Sequence, residues 1–314
     1  MAAPRARGLF RRVVAQSGAP LVATAEEAAA TAERVVAAIG VTPAGLRDVP
    51  AQRFLEVQHE MMMAAQQAGG GLSGEIMAFR PNVDGGVLPR PPEEAVADGE
   101  AAGIDLLIGT NRDEMKLFSL LDQTELDEPG LLARLGALLD DDTACQVVGA
   151  YRAARAGRGE AVEPKELWSA LETDRFFRAP SMQLAADHAA AGSRVFAYLF
   201  CWESPMALLG AAHAIEIPFV FGTLDAPMIE LFAGGGPDAE QLSATVQAAW
   251  SAFARTGDPS TPELGPWPHF DRNKRATMLL GPTCALDHDP LAAELRCWDP
   301  GDRLAGLSDR SGSA

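Results

Sequence analysis

Two stretches of the sequence carry residue types that could move a proton together: GAAHAIEIPFVFG at 210–222, with His213, and LLIGTNRDEMKLF at 106–118, with Asp113 and Glu114. An imidazole works as a general base when a carboxylate holds its other ring nitrogen, fixing the tautomer and stabilising the imidazolium. Glu114 could be that carboxylate, because it lies just past an apolar run that reads as a strand. Glu216, three residues after His213, is the rival, although at one turn's separation it can equally bond backbone or an arginine. Such a pair would take a proton from a hydroxyl nucleophile and return it to a leaving group. The bland reading of the same residues is a solvated turn, Arg112–Glu114, and a structural histidine.

For these side chains to meet, the elements before them must lie side by side. RRVVAQSG (11–18), IDLLIGTN (104–111) and SRVFAYLF (193–200) are short β-branched or aromatic runs bounded by turn residues, as buried parallel strands are. TAEEAAATAERVVAAIG (24–40) begins with Thr, has acids in its first turn and stops at Gly, so it reads as a capped helix. The stretch 163–191 reads as two helices broken near Pro180, and QLSATVQAAWSAFARTG (241–257) as one helix ending at Gly257. PNVDGGVLPRPPEEAVADG (81–99) reads as a surface loop and GGGPDAEQ (234–241) as a flexible link. Strands alternating with helices predict an α/β fold with a parallel sheet. In such sheets ligands and reacting groups gather beyond the carboxyl ends of the strands, where Glu114 and His213 both fall. Three strands are too few for a parallel sheet covered on both faces, so the sheet is expected to be incomplete.

Composition narrows the partners. The 314 residues are 47% hydrophobic, enough to bury a large core, and carry a net charge of −17 that would repel nucleic acid or an anionic membrane surface. No apolar stretch approaches the roughly 18 residues of a membrane span. The Arg-rich opening MAAPRARGLFRRVVAQSGA has too weak an apolar centre for an export peptide and is expected to be a folded strand. Four cysteines without C-x-x-C spacing argue against a disulfide framework, and a cytoplasmic location is expected, secretion of a longer form being compatible. The histidines stand singly, so neither a metal nor an organic cofactor is expected.

GLFRRVVAQSGA, the loop PNVDGGVLP, GTNRDEMKLF, GAAHAIEIPFVFG and the closing W-x2-F-x3-GDP followed by WP together resemble the type-B carboxylesterases, para-nitrobenzyl esterases and cholinesterases among them. The resemblance runs from about Arg7 to Leu280. It implies the carboxyl-terminal portion of an α/β-hydrolase fold, the last strands of the parallel sheet with their helices, so that residues 1–314 form a single partial domain without a separate second one. It also implies that Glu114 is the triad acid, His213 the triad base and Glu216 a structural support. The family's serine sits in a G-E-S-A-G elbow, upstream of the segment matching GLFRRVVAQSGA, beside an oxyanion loop. No serine of the 314 residues lies in G-x-S-x-G. Ser17 in AQSGA is the weak resident candidate, with Ser73 and Ser204 weaker still.

The expectation is therefore a serine-type ester hydrolase that carries acid and base, lacks elbow and oxyanion loop, and is close to inactive alone. Its substrate would be a hydrophobic neutral ester, with Met61–Met63 (centrally Met62), Leu117 and Phe118 as candidate pocket residues. An upstream polypeptide would complete the sheet, and without it the open edge predicts poor solubility. Two other readings stand beside this one. A non-catalytic binding module of the same fold would have no chemical need of Glu114 and His213, and a truncated gene product would have an in-frame elbow shortly before Met1.

Overall fold

In DLLIGTN the apolar residues follow one another without alternation, which suits a strand covered on both faces. The computed structural model, which describes residues 1–18, 20–67, 79–119 and 125–298 (65–67 by backbone alone), places that strand inside the sheet with a neighbour on either side. Asp105–Asn111 (β2) is buried from Leu106 onward. It lies between Arg12–Gln16 (β1) and Val195–Phe200 (β3), both parallel to it. Ala276–Leu280 (β4) adds a further parallel strand beside β3, and Ala285–His288 (β5) returns antiparallel on β4. The sheet thus has five strands in the order β1-β2-β3-β4-β5, and it is mixed. The expectation of three parallel strands is corrected at this edge. β4 is an apolar run of only five residues behind the polar DRNKR, too short to show a period, and every residue of β5 is exposed. At the other edge β1 is only half-buried throughout, and among the described residues its sole ladder partner is β2.

The chain divides into two compact units, Met1–Leu9 with Pro20–Ala101 and Phe10–Ala19 with Ala102–Ala314. The first holds the helices Ala25–Ile39 (α1), Ala51–Gln67 (α2) and Pro92–Ala97 (α3). Thr24 and Glu27 form a reciprocal capping box on α1, and Gly40 ends it in the left-handed region, as the sequence predicts. The stretch 81–99 is a loop only in part. Asp84 Oδ1 accepts the amides of Gly86, Val87 and Leu88, a tight turn, but α3 forms from Pro92 on.

The second unit holds the sheet and Met115–Ser119 (α4), Glu128–Gly136 (α5), Asp141–Gly157 (α6), Pro164–Thr173 (α7), Ala179–Ala190 (α8), Ile217–Phe221 (α9), Ile229–Ala233 (α10), Pro237–Thr256 (α11) and Ala292–Leu295 (α12). One sheet face, carrying Leu107, Phe196, Tyr198, Phe200 and Met278, packs on Phe219 of α9 and on Val246, Ala249, Trp250 and Phe253 of α11. The other face receives α8 against β2 and β3. A satellite cluster of Leu131, Leu135, Val147, Tyr151, Leu167 and Leu171 joins α5, α6 and α7. α11 starts at Pro237, four residues ahead of the predicted start, because proline fits the first helical turn. Between α7 and α8 the chain does not break at Pro180, which sits in the first turn of α8. It passes through one π-helical turn, Asp174–Arg178.

Glycine at 109 is a packing requirement. A Cβ there would lie 2.3 Å from the carbonyl oxygen of Tyr198 and 2.5 Å from its ring, on the neighbouring strand.

Candidate active site

β2 ends at Asn111, and Arg112–Glu114 turn the chain into α4, folding the Glu114 side chain back under the strand end. Glu114 Oε1 accepts the Asn111 backbone N–H at 2.7 Å and also the Ser17 hydroxyl. Oε2 faces His213 Nδ1 at 2.6 Å. The carboxylate is wholly buried, a placement that costs several kcal/mol unless its lone pairs are used, as they are here.

The histidine reaches it from the loop that follows β3. That loop is clasped to the acid turn by backbone and side chain together: Asp113 N–H donates to the Ala211 carbonyl at 2.9 Å, and Asp113 Oδ2 accepts the Ala211 N–H at 3.0 Å. Gly210 has φ +54, and a Cβ on it would lie 2.6 Å from Asp113 Oδ2, so the close approach admits only glycine. Immediately after His213, Ala214 takes φ +69, a left-handed conformation rare for a residue with a Cβ. This sharp turn sends Ile215 into the core and leaves His213 on the rim, its side chain 33% exposed. The rings of Phe118 and Phe177 flank the imidazole at centroid distances of 5.3 and 5.2 Å.

With Nδ1 on the carboxylate, the neutral ring carries its proton there and Nε2 is the basic nitrogen. Burial opposes charge on His213, but the hydrogen bond and charge of Glu114, with Glu216 further off, outweigh it and raise its pKa above the ordinary imidazole value. Asp113 is likewise penalised by burial, yet Arg112, donating to it at 2.9 and 3.0 Å, holds its carboxyl below the usual range.

Glu216, the rival acid, is engaged elsewhere. Its Oε2 accepts Asn111 Nδ2 at 2.6 Å and its Oε1 accepts Gln16 Nε2 at 3.1 Å, while Gln16 Oε1 accepts Trp250 Nε1 at 3.1 Å. Asn111 Nδ2 also donates to the Ala212 carbonyl at 3.0 Å, so Glu216 ties the ends of β1 and β2 to the histidine loop. Sequence reasoning named Glu216 and Asp113 but missed Asn111, Gln16, Phe177 and Arg178. The position of Asn111 and Gln16 at strand ends was the available signal for those two.

Of the serines, Ser17 follows β1 with φ +52, its N–H bonded to the Gly109 carbonyl at 2.9 Å and its hydroxyl on Glu114. A nucleophile must hydrogen-bond the base, whereas Ser17 bonds the acid. Ser204 donates to the Phe232 carbonyl at 2.5 Å, and Ser73 lies outside the described residues. Leu117 and Phe118 are half-buried on α4, and Met62 is half-buried on α2 of the first unit. Among the described residues no group of three or more His, Cys, Asp or Glu could hold a metal ion, and no helix is long and apolar enough to cross a membrane.

Comparison with known proteins agrees with this architecture. The carboxylesterase family model matches residues 1–298. The para-nitrobenzyl esterase of Bacillus subtilis is 33% identical over 296 residues, which cover 92% of this chain and 57% of the relative. The phenmedipham hydrolase of Pseudarthrobacter oxydans is 30% identical over 88% of this chain and 55% of its own length. A solved carboxylesterase of Geobacillus stearothermophilus superposes with a TM-score of 0.77 at 33% identity, covering 95% of this chain and 60% of that one. The chain thus spans little more than half the length of the relatives it matches. Its sheet is part of an α/β-hydrolase fold, and the chain belongs to the carboxylesterase family.

Proposed function

We propose that this chain supplies the acid and the base of a serine-type carboxylic ester hydrolase, and that the nucleophilic serine and the oxyanion donors lie outside its 314 residues. The observation that carries the reading is the 2.6 Å contact between His213 Nδ1 and the wholly buried Glu114. In the assembled enzyme Nε2 of His213 takes the serine proton as the hydroxyl attacks the ester carbonyl, and returns it to the departing alkoxide. Glu114 keeps the ring in the right tautomer and stabilises the imidazolium. Water then attacks the acyl-enzyme with the same nitrogen as base. Ser17 plays no nucleophilic part, because its hydroxyl serves Glu114. Phe118, beside the imidazole, and Leu117 on the same helix supply apolar surface to a neutral hydrophobic ester.

The test compares p-nitrophenyl ester hydrolysis by this chain alone with that by a version extended upstream through a G-x-S-x-G elbow. The extended protein is expected to turn over, and the chain alone to stay near background, since loss of the nucleophile costs about a million-fold in such triads. Rapid turnover by the chain alone after Ser17→Ala would sink the proposal.

A further inference from the structure

The pair is held from behind by a segment that no sequence pattern marks. α7 and α8 are joined by the π-helical turn Asp174–Arg178. Such turns interrupt the regular helical register and recur at functional sites because they re-aim side chains. Two successive residues of this one reach His213 itself and the backbone of the turn that carries Glu114. Phe177 lays its ring against His213 at 5.2 Å, with an interplanar angle of 41°. Arg178, 6% exposed, donates through Nη2 to the carbonyl of Arg112 and to that of Asn111 at 3.3 Å. Its Nη1 bonds Asp174 Oδ1 within the same turn. Asp174 is itself fixed from α6, where Tyr151 donates its hydroxyl at 2.6 Å and accepts Trp298 Nε1 at 2.6 Å.

These contacts bear on Glu114 through the backbone. The carbonyls of Asn111 and Arg112 belong to the two successive peptide planes through which β2 enters the acid turn, and the Asn111 N–H is itself a donor to Glu114 Oε1. A buried guanidinium pinned to both carbonyls fixes the direction in which the chain leaves the strand, and with it the carboxylate. Displacements of about 1 Å at such a site are worth about a hundredfold in rate.

We propose that the π-helical turn Asp174–Arg178 is the positioning element of the Glu114–His213 pair, with Arg178 setting the acid turn and Phe177 the plane of the imidazole. Its importance for ester hydrolysis rests on the function proposed above, but the geometry can be tested without any turnover. Two carboxylates bear on His213, Glu114 from the acid turn and Glu216 from the start of α9, and substitution of Arg178 removes neither.

The experiment is a histidine-ring NMR titration of the labelled chain as wild type, Arg178→Met, Arg178→Lys and Phe177→Leu. In Arg178→Met the His213 midpoint should fall toward the ordinary value of about 6.5, with loss of the slowly exchanging Nδ1 proton. Arg178→Lys should give a smaller fall, because an ammonium keeps the charge and some of the donors, although it cannot span Asp174 and the carbonyls as a planar fork does. Phe177→Leu should speed exchange of that proton. His188, bonded to the Ile104 carbonyl at 2.7 Å before the opposite end of β2, should titrate as in wild type throughout. If Arg178→Met does not fold, Arg178→Lys decides alone. An unchanged His213 titration in the folded Arg178 variants overturns the proposal. So does a joint shift of His213 and His188, the signature of general loosening.

Discussion

The strands β1, β2 and β3 have a charged group at each end, and the two groups behave in opposite ways. At the amino ends Asp105 is held by Arg194, at 2.5 and 2.8 Å, and by Arg12 at 3.4 Å, with the Arg194 side chain 44% exposed. At the carboxyl ends Glu114 is out of contact with water and meets an amide, a hydroxyl and an imidazole. Both groups centre on one carboxylate. The first is neutralised by permanent cations, one of them half in solvent, so its charge is already spent and it can only stabilise. The second faces neutral donors and one titratable ring, so its charge remains available when that ring takes a proton. Burial and the choice of partners, rather than the presence of a carboxylate, separate a structural end from the end proposed for the chemistry.

The most forceful way to break this comparison is to remove the ring. In the elbow-extended protein, His213→Ala should lower kcat on a p-nitrophenyl ester by about a million-fold, while Arg194→Ala in the same protein changes it by no more than a few-fold. Glu114→Gln keeps the shape but removes the charge and unsettles the tautomer, for a loss of about ten-thousand-fold. Asp105→Asn is the matching change at the other end, and equal losses from the two carboxamides would erase the distinction. Between the ends, Gly109→Ala must force a Cβ into the Tyr198 backbone, which cannot swing aside as a side chain could. Overpacking of this kind should cost about 3 kcal/mol or more in urea unfolding, from a site with no charge at all.

A smaller effect follows from the raised pKa of His213. The folded state holds the ring proton more tightly than the unfolded chain, so the stabilisation is fully present below about pH 6.5 and is lost as pH rises through the higher folded value. The urea midpoint of wild type minus that of His213→Gln should therefore narrow on going from mildly acidic to alkaline solution. A gap that widens would mean the ring is held neutral. In the extended enzyme the same shift acts the other way on rate, because only the neutral ring can accept the serine proton, and activity should rise through that same folded value.

Much of the Glu114–His213 end is legible in the sequence because its parts sit at punctuated places. Glu114 and His213 each follow an apolar strand, and the capped α1 announces both its ends. β4 escapes notice because five residues behind a polar run are too few to show a period, although most of them are buried, and β5 because a wholly exposed edge strand has no apolar face to display. Asp174 and Arg178 escape for a different reason. They lie four apart inside what reads as ordinary amphipathic helix, and the π-turn brings Phe177 to His213 and Arg178 to the backbone ahead of Glu114. Long-range polar contacts made by a helix interior leave no local trace, so the residues that hold the site are harder to read than those proposed to act in it.

The weakest expected effect sharpens the comparison at its solvated end. Arg194→Ala removes an exposed ion pair, worth no more than about 1 kcal/mol and screened by salt. Arg12→Ala should cost more, because Arg12 also donates to the Ala254 carbonyl at 2.9 Å and to that of Arg255 at 3.2 Å, at the carboxyl end of α11 where a cation is favoured. Urea unfolding of both variants in low salt and in 1 M NaCl separates the contributions. The Arg194 effect should vanish in high salt, while that of Arg12 should persist in part, because hydrogen bonds to helix-end carbonyls are lost at any ionic strength. An Arg194 effect that survived 1 M NaCl would show the amino-end cluster to be shielded from solvent, and the contrast between the two ends would then rest on partner type alone.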